Sequence, residues 1–257
     1  MMPIYLKSLY RVILGLLPII SLLMIWQLFS DGPSPHFPAP SYWLMALEQL
    51  WKNGQIQFAI KETFWIFGIG LILSTTLGFS LGIIIGVNRK FREWTTYSFE
   101  SFRAIPPPVV IPIAVLLMGY SDSMKIVVIV FATIWPILLN VVSSIDNMHS
   151  GLVDMGKALH LSQKQLIFKV VIPSVIPNAI IGIRVTIPLA IVITLLTEML
   201  TGSNGLGGIM IAGQRNYNSS QVYGVLVIVG ILGLFINLAS NYLEKYFTKS
   251  WPPKQQL

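Results

Sequence analysis

Six stretches of this chain run for roughly 20 residues with almost no charge, the length a helix needs to cross a bilayer. They are Val12–Phe29, Thr63–Val87, Ala104–Ser121, Ile126–Ile145, Val170–Thr197 and Asn216–Leu243, and only Arg184 interrupts them. In lipid every backbone N–H and C=O must be satisfied within the protein, so such runs fold as helices. The sequence therefore predicts an all-α polytopic membrane protein with six transmembrane helices. Composition agrees: 54% of the residues are hydrophobic, 11% are charged and the mean hydropathy is +0.72. A soluble domain carries about 25% charged residues. The run at 104–121 holds Pro106, Pro107, Pro108 and Pro112, which remove backbone donors and kink helices.

The net charge of +7 is a matter of topology, because Lys and Arg collect in cytoplasmic loops. With the N-terminus inside, the inner segments hold Lys7, Arg11, Arg89, Lys90, Arg92, Lys157, Lys164, Lys169, Lys245, Lys249 and Lys254. The outer segments hold only Lys52, Lys61, Lys125 and Arg215. Both termini are expected in the cytoplasm, with the basic N-terminus and first apolar run kept as a span. No soluble module is left to bind nucleic acid. The chain has no cysteine, and His36, His149 and His160 lack metal-ligand spacing. In the long outer loop, Ser41 is a candidate N-cap. Tyr42, Leu44, Leu47, Leu50 and Trp51 then follow at helical spacing. A short helix at the outer interface is expected.

One inner segment, "DMGKALHLSQKQLIFKVVIP" (Asp154–Pro173), is amphipathic. Met155, Leu159, Leu166 and Val170 form one apolar stripe. Ser162 and Gln165 fit a capping box that starts a second helix. His160 then falls where a helix end favours a left-handed residue, and Asp154 is expected in the first turn, where a carboxylate suits the helix dipole. Two roles fit this helix-turn-helix, expected at about residues 150–172. It can lie flat on the inner leaflet, or it can dock a partner.

The spacing Asp154-Met155-Gly156, three residues, His160, nine residues, Val170, one residue, Ile172-Pro173 resembles the EAA signature of importer-type ABC transporter permeases. It departs by Asp for Glu, Met and Gly for the alanines, and His for Gly. Further resemblance is to the nitrate/sulfonate/taurine/bicarbonate subgroup. It is carried by "FPAP" (Phe37–Pro40), "SFRAIPPPVVIPIAVLLMG" (Ser101–Gly119), "GIR" (Gly182–Arg184) and "LLTEMLTGSNGLGGIMI" (Leu195–Ile211). The resemblance implies a single permease domain over 1–257, working as a homodimer in the bacterial inner membrane. It implies two ATP-binding-cassette ATPase subunits below and an extracytoplasmic substrate-binding protein above. ATP and Mg would be held by the ATPases, and no cofactor or metal by this chain. Asp154, Met155, Gly156, Lys157, Ala158, Leu159, His160 and Leu161 would form the coupling helix seated in a groove on the ATPase. Glu198, Met199 and the turn Gly205-Leu206-Gly207 would lie near an outer gate.

No phosphate-binding G-x-x-x-x-G-K-[ST] occurs: Gly156-Lys157 is followed by Ala158. Gly78, Gly82 and Gly86 make two G-x-x-x-G steps, a close-packing seam within the subunit or between subunits. Ionisable groups at membrane depth cost about 2.5–3.5 kcal/mol on insertion scales, so each calls for a reason. Glu100 and Arg103 share a helix face and either pair or meet the cargo beside Pro106. Arg184 either snorkels inward or lines the pathway. An intramembrane enzyme would need a nucleophile, base or metal set at membrane depth, and no histidine falls within a span. A passive channel would leave the inner hairpin without a role.

Overall fold

The structure is a computed structural model that describes residues 4–30 and 34–248. Lys249 and Lys254, counted above as inner cations, lie outside the described residues, as do the side chains of Lys7 and Arg11. In chain order the helices are α1 (Ile4–Phe29), α2 (Pro40–Lys52), α3 (Gln55–Val87), α4 (Arg89–Arg103), α5 (Pro107–Met118) and α6 (Asp122–Asp146). Then come α7 (Ser150–Ala158), α8 (Gln163–Leu166), a π turn (Ile167–Val171), α9 (Ile172–Thr201), α10 (Leu206–Arg215) and α11 (Ser219–Thr248). Through the π turn, α8 and α9 form one helix of 39 residues, Gln163–Thr201.

Among the described residues, four helices are long and apolar enough to cross a membrane: Gln55–Val87, Asp122–Asp146, Gln163–Thr201 and Ser219–Phe247. The run at 104–121, expected to cross as one helix, is broken. Tyr97–Arg103 and Pro107–Met118 meet at 88°. The cause is local. A residue before proline is pushed out of the helical region, and Pro106, which precedes Pro107, sits at φ −64°, ψ 128°. Pro107 and Pro108 then occupy the first helical positions, where a missing N–H costs nothing. The 12 residues of α5 span about 18 Å, against roughly 30 Å of hydrocarbon, so α5 alone is too short to cross.

The core is a three-helix packing of α3, α6 and α9. Along α3, Gly70, Ser74, Gly78, Gly82 and Gly86 repeat every fourth residue, and all are buried. They face the matching row Ile129, Ile137, Val141 and Ile145 of α6. Within that row Ser74 Oγ and Thr133 Oγ1 share a 2.6 Å hydrogen bond. The glycine steps are therefore an intrasubunit seam. A Cβ on Gly82 would stand 2.8 Å from Val141 Cβ and 3.1 Å from the Leu138 carbonyl oxygen. Gly182 of α9 approaches α6 as closely, 3.0 Å from the Pro136 carbonyl oxygen by the same construction. Gly82→Val should lower stability by about 1–3 kcal/mol, the usual cost of overpacking. Gly68→Ala, with no neighbour within 4 Å, should stay within about 0.5 kcal/mol. Thermal unfolding of the purified protein in detergent checks both.

Two contacts fix the ends of the bundle. Thr63 near the start of α3 bonds Glu198 near the end of α9. At the opposite end, Arg92 of α4 pairs with Asp146 of α6 at 2.8 Å. The helix expected over Tyr42–Trp51 is present as α2, with Trp43 and Leu50 buried. Ser41, however, is not its N-cap. Pro40 takes the first helical position after Ala39, and the Gln27 side chain of α1 accepts from Ser41 N (3.0 Å) and donates to Ser41 Oγ (3.2 Å). Trp43 stacks on Tyr223 of α11 at 5.2 Å, with Trp26 of α1 set edge-on to both.

Candidate functional site

At the Arg92–Asp146 end, α7 and α8 form the hairpin expected from the sequence, and both of its local locks are present. Leu161 N–H donates to the Gly156 carbonyl (3.1 Å) and His160 N–H to the Lys157 carbonyl (2.9 Å). This is the paired pattern of a Schellman helix end, with His160 in the left-handed region at φ 54°. Ser162 Oγ accepts from Gln165 N, and the Gln165 side chain accepts from Ser162 N at 2.9 Å, which completes the capping box. Because an L-residue at positive φ costs roughly 1–2 kcal/mol, His160→Gly should be tolerated. His160→Val should lower the thermal midpoint measurably in the same unfolding assay.

Asp154 is not in the first turn. The helix starts at Ser150, capped by His149 Nδ1, which accepts from Gly151 N–H at 3.1 Å. Asp154 lies one turn further on and pairs with Lys157 at 3.5 Å, both side chains exposed. The earlier start adds Leu152 to the surface stripe. Leu152, Met155 and Leu159 stand 40%, 61% and 67% exposed. The inner side of α7 is held by Gly156, where any Cβ would collide with Leu166. Of the expected stripe, then, Met155 and Leu159 face outward, whereas Leu166 and Val170 are half-buried beneath the hairpin. A recess of about 210 Å³ opens among Leu152, Met155, Leu159, Leu161, Val170 and Pro173. Leu152 was legible as the i−3 neighbour of Met155, once a cap at His149 is admitted.

At the other end, Glu198 is fully buried. Its Oε2 accepts from Thr63 Oγ1 (3.0 Å) and from Gly207 N–H (2.9 Å), while Leu206 N–H donates to Thr63 Oγ1 (2.9 Å). The carboxyl group thus caps the N-terminus of α10, directly at Gly207 and through Thr63 at Leu206, where the helix dipole favours negative charge. Gly202, at φ 62°, ends α9 and turns the chain into α10. A Cβ at Gly205 would collide with the Glu198 carboxyl, and one at Gly207 would stand 2.5 Å from the Leu195 carbonyl oxygen. Sequence reading grouped Glu198 with Gly205, Leu206 and Gly207, and the structure brings them together. Met199 is half-buried beside them. Thr63 was missed, and no local pattern marks it.

The ionisable groups on the spans divide. Arg184 Nη1 pairs with Glu244 Oε2 of α11 at 2.6 Å, a partner neither sequence reading named. Glu100 and Arg103 form no ion pair with each other among the described residues. Both line a small cavity of about 100 Å³ beside Arg92 and Phe99. Arg103 also borders a larger one of about 480 Å³ with Trp135 and Asn140. Pro106 is exposed at the break.

Comparison with known proteins agrees with this architecture. A nitrate import permease protein, NrtB of Synechocystis sp., is 26% identical over 91% of this chain and 88% of its own length. A putative aliphatic sulfonates transport permease protein, SsuC of Bacillus subtilis, is 22% identical over 91% of this chain and 86% of its own. The chain shares its fold with a subunit of the MetNI methionine ABC transporter in an inward-facing conformation. The TM-score is 0.66 at 20% identity, over 77% of this chain and 97% of that one. Residues 75–251, well over half the chain, match the family described as binding-protein-dependent transport system inner membrane component. The chain belongs to that family, a non-catalytic membrane subunit of ABC transporters whose ATPase is a separate polypeptide.

Proposed function

We propose that this importer permease works as a homodimer driven through the α7–α8 hairpin by two ATP-binding-cassette ATPase subunits. An extracytoplasmic binding protein would hand it a small anion such as nitrate or a sulfonate. In this reading residues 1–257 act as one permease domain. It crosses the bilayer six times, by α1, α3, the broken α4–α5, α6, α8–α9 and α11, with both termini cytoplasmic. Residues 150–172 are its lever, and Asp154 to Leu161 make the ATPase contact. ATP and Mg belong to the partners.

The observation that carries the reading is the exposed stripe Leu152, Met155 and Leu159 on a hairpin locked at both of its internal helix ends. A rigid amphipathic helix with its apolar face outward is built to lie in a groove. The 39-residue helix that leaves the hairpin is about 58 Å long and ends beside Glu198. ATP binding would draw the ATPases together, swing the hairpins and, through this helix, move the outer turn at Gly205–Gly207. The cavity would then open outward, and hydrolysis would reset it. Glu100, Arg103, Pro106, Arg184, Glu198, Met199 and the Gly205-Leu206-Gly207 turn are the pathway and gate positions of this scheme. Arg184 and Glu198 act in it by holding helices together.

Relatives named for nitrate and aliphatic sulfonates support an anionic cargo. Affinity purification from the native membrane tests the assembly. The tagged chain should bring down an ATPase of unrelated sequence carrying a phosphate-binding loop. Recovery of the permease free of any such subunit, under conditions that preserve the homodimer, would contradict the proposal.

A further inference from the structure

Among the described residues, three cations of the long helices and α4 have an acidic partner: Arg92 with Asp146, Arg184 with Glu244, Lys125 with Asp122. Arg103 forms no ion pair among the described residues. Its depth follows from the path of α4 along α6. Arg92 sits against Asp146 at one end of α6, and Phe102 stacks on Trp135, with ring centroids 6.5 Å apart and planes 6° from parallel. From Asp146 to Trp135 is about 16 Å along the helix, roughly half the hydrocarbon thickness. Arg103 is exposed on the described chain, so its guanidinium is open to a mobile anion or to water, and at that depth a cation without either is costly.

A cavity is there. Its volume of about 480 Å³ lies in the range of small-molecule sites. Its lining includes Arg103, Phe131, Trp135, Asn140 and Leu189. Asn140 Nδ2 donates to the Pro136 carbonyl (2.7 Å) and keeps a second N–H. Glu100 lines the adjoining small cavity, not this one. We infer that this cavity is an anion subsite selective for a small oxyanion, with Arg103 as its charged contact and the Trp135 and Phe131 rings as apolar walls. A guanidinium presents a planar fork of donors suited to oxyanions. The inference rests on the importer reading for its place in a pathway, but its test needs neither ATPase nor transport.

Trp135 reports on the cavity. The difference in emission between wild-type protein and Trp135→Phe isolates its signal in the full-length protein in detergent. Iodide serves as the anionic quencher and acrylamide as the neutral one. Iodide should quench Trp135 saturably, and nitrate should protect. The half-effect concentration should rise about tenfold in Arg103→Gln, the scale of a lost charge-assisted hydrogen bond. In Arg103→Lys, which keeps the charge but not the fork, the iodide midpoint should stay near wild type while nitrate protects less, and acrylamide should act alike on all three. An iodide midpoint unmoved by Arg103→Gln would overturn the proposal. If that variant does not fold, the wild-type protein still decides: a linear iodide response without protection by nitrate overturns it as well. Failure here would leave the docking hairpin untouched, and failure of the co-purification would leave this site untouched.

Discussion

Asp154→Lys combined with Leu159→Asp will cut uptake at least about tenfold while leaving the protein folded. The fold should not notice the change. Leu159 is 67% exposed, so an aspartate there stays in water. The Asp154–Lys157 pair is exposed on both sides, and such pairs contribute about 0–1 kcal/mol. The interface should notice strongly. Leu159 would be an apolar anchor in a groove, and anchors of this kind cost about 2 kcal/mol or more when lost, roughly thirtyfold in binding. A new carboxylate in that groove adds a desolvation penalty. Uptake should therefore fall at least about tenfold, with ATP hydrolysis no longer tied to transport, at an unchanged thermal midpoint. Uptake at the wild-type rate would contradict docking through this face.

Glu198→Ala should be the most destabilising single substitution at the Thr63–Glu198 end of the bundle. It removes the acceptor for Thr63 Oγ1 and Gly207 N–H and loosens the hydroxyl that serves Leu206 N–H. Buried groups left without a partner cost about 1–3 kcal/mol each. A total near 3–5 kcal/mol should lower the thermal midpoint by roughly 10 °C. Glu198→Gln, whose amide oxygen can still accept from Thr63 and Gly207, should retain most of the stability. Thr63→Val should cost about half as much as Glu198→Ala. Equal midpoints for wild type and Glu198→Ala would mean that α10 is held by its apolar contacts alone, with Leu206 in the core of Leu50, Ile56 and Val225.

The parts of the molecule legible in the sequence are those set by near neighbours or by periodicity. The Gly78, Gly82 and Gly86 seam showed as a four-residue repeat, which is all that close helix packing requires. The capping box at Ser162 and the left-handed His160 are local backbone chemistry and fell where expected. Asp154 was misplaced in the first turn of α7 because the cap is His149, an uncommon N-cap residue. The four prolines were noticed, yet an uninterrupted apolar count from 104 to 121 hid an 88° break. Contacts between distant residues were not legible at all. The pairs Thr63–Glu198 and Arg184–Glu244 join residues 135 and 60 positions apart, and nothing in either neighbourhood names the other.

The most direct test uses the absence of cysteine from the chain, which makes an engineered thiol unique in the isolated permease, labelled before its partners are added. Benzophenone-maleimide is attached to Leu159→Cys before the full transporter is assembled, with Trp51→Cys on α2, 57% exposed at the opposite end, as the comparison. Illumination should give a covalent permease–ATPase product from position 159 and none from position 51. If position 159 yields only lipid adducts, or labels alike with and without the ATPase bound, then driving force does not enter through this hairpin.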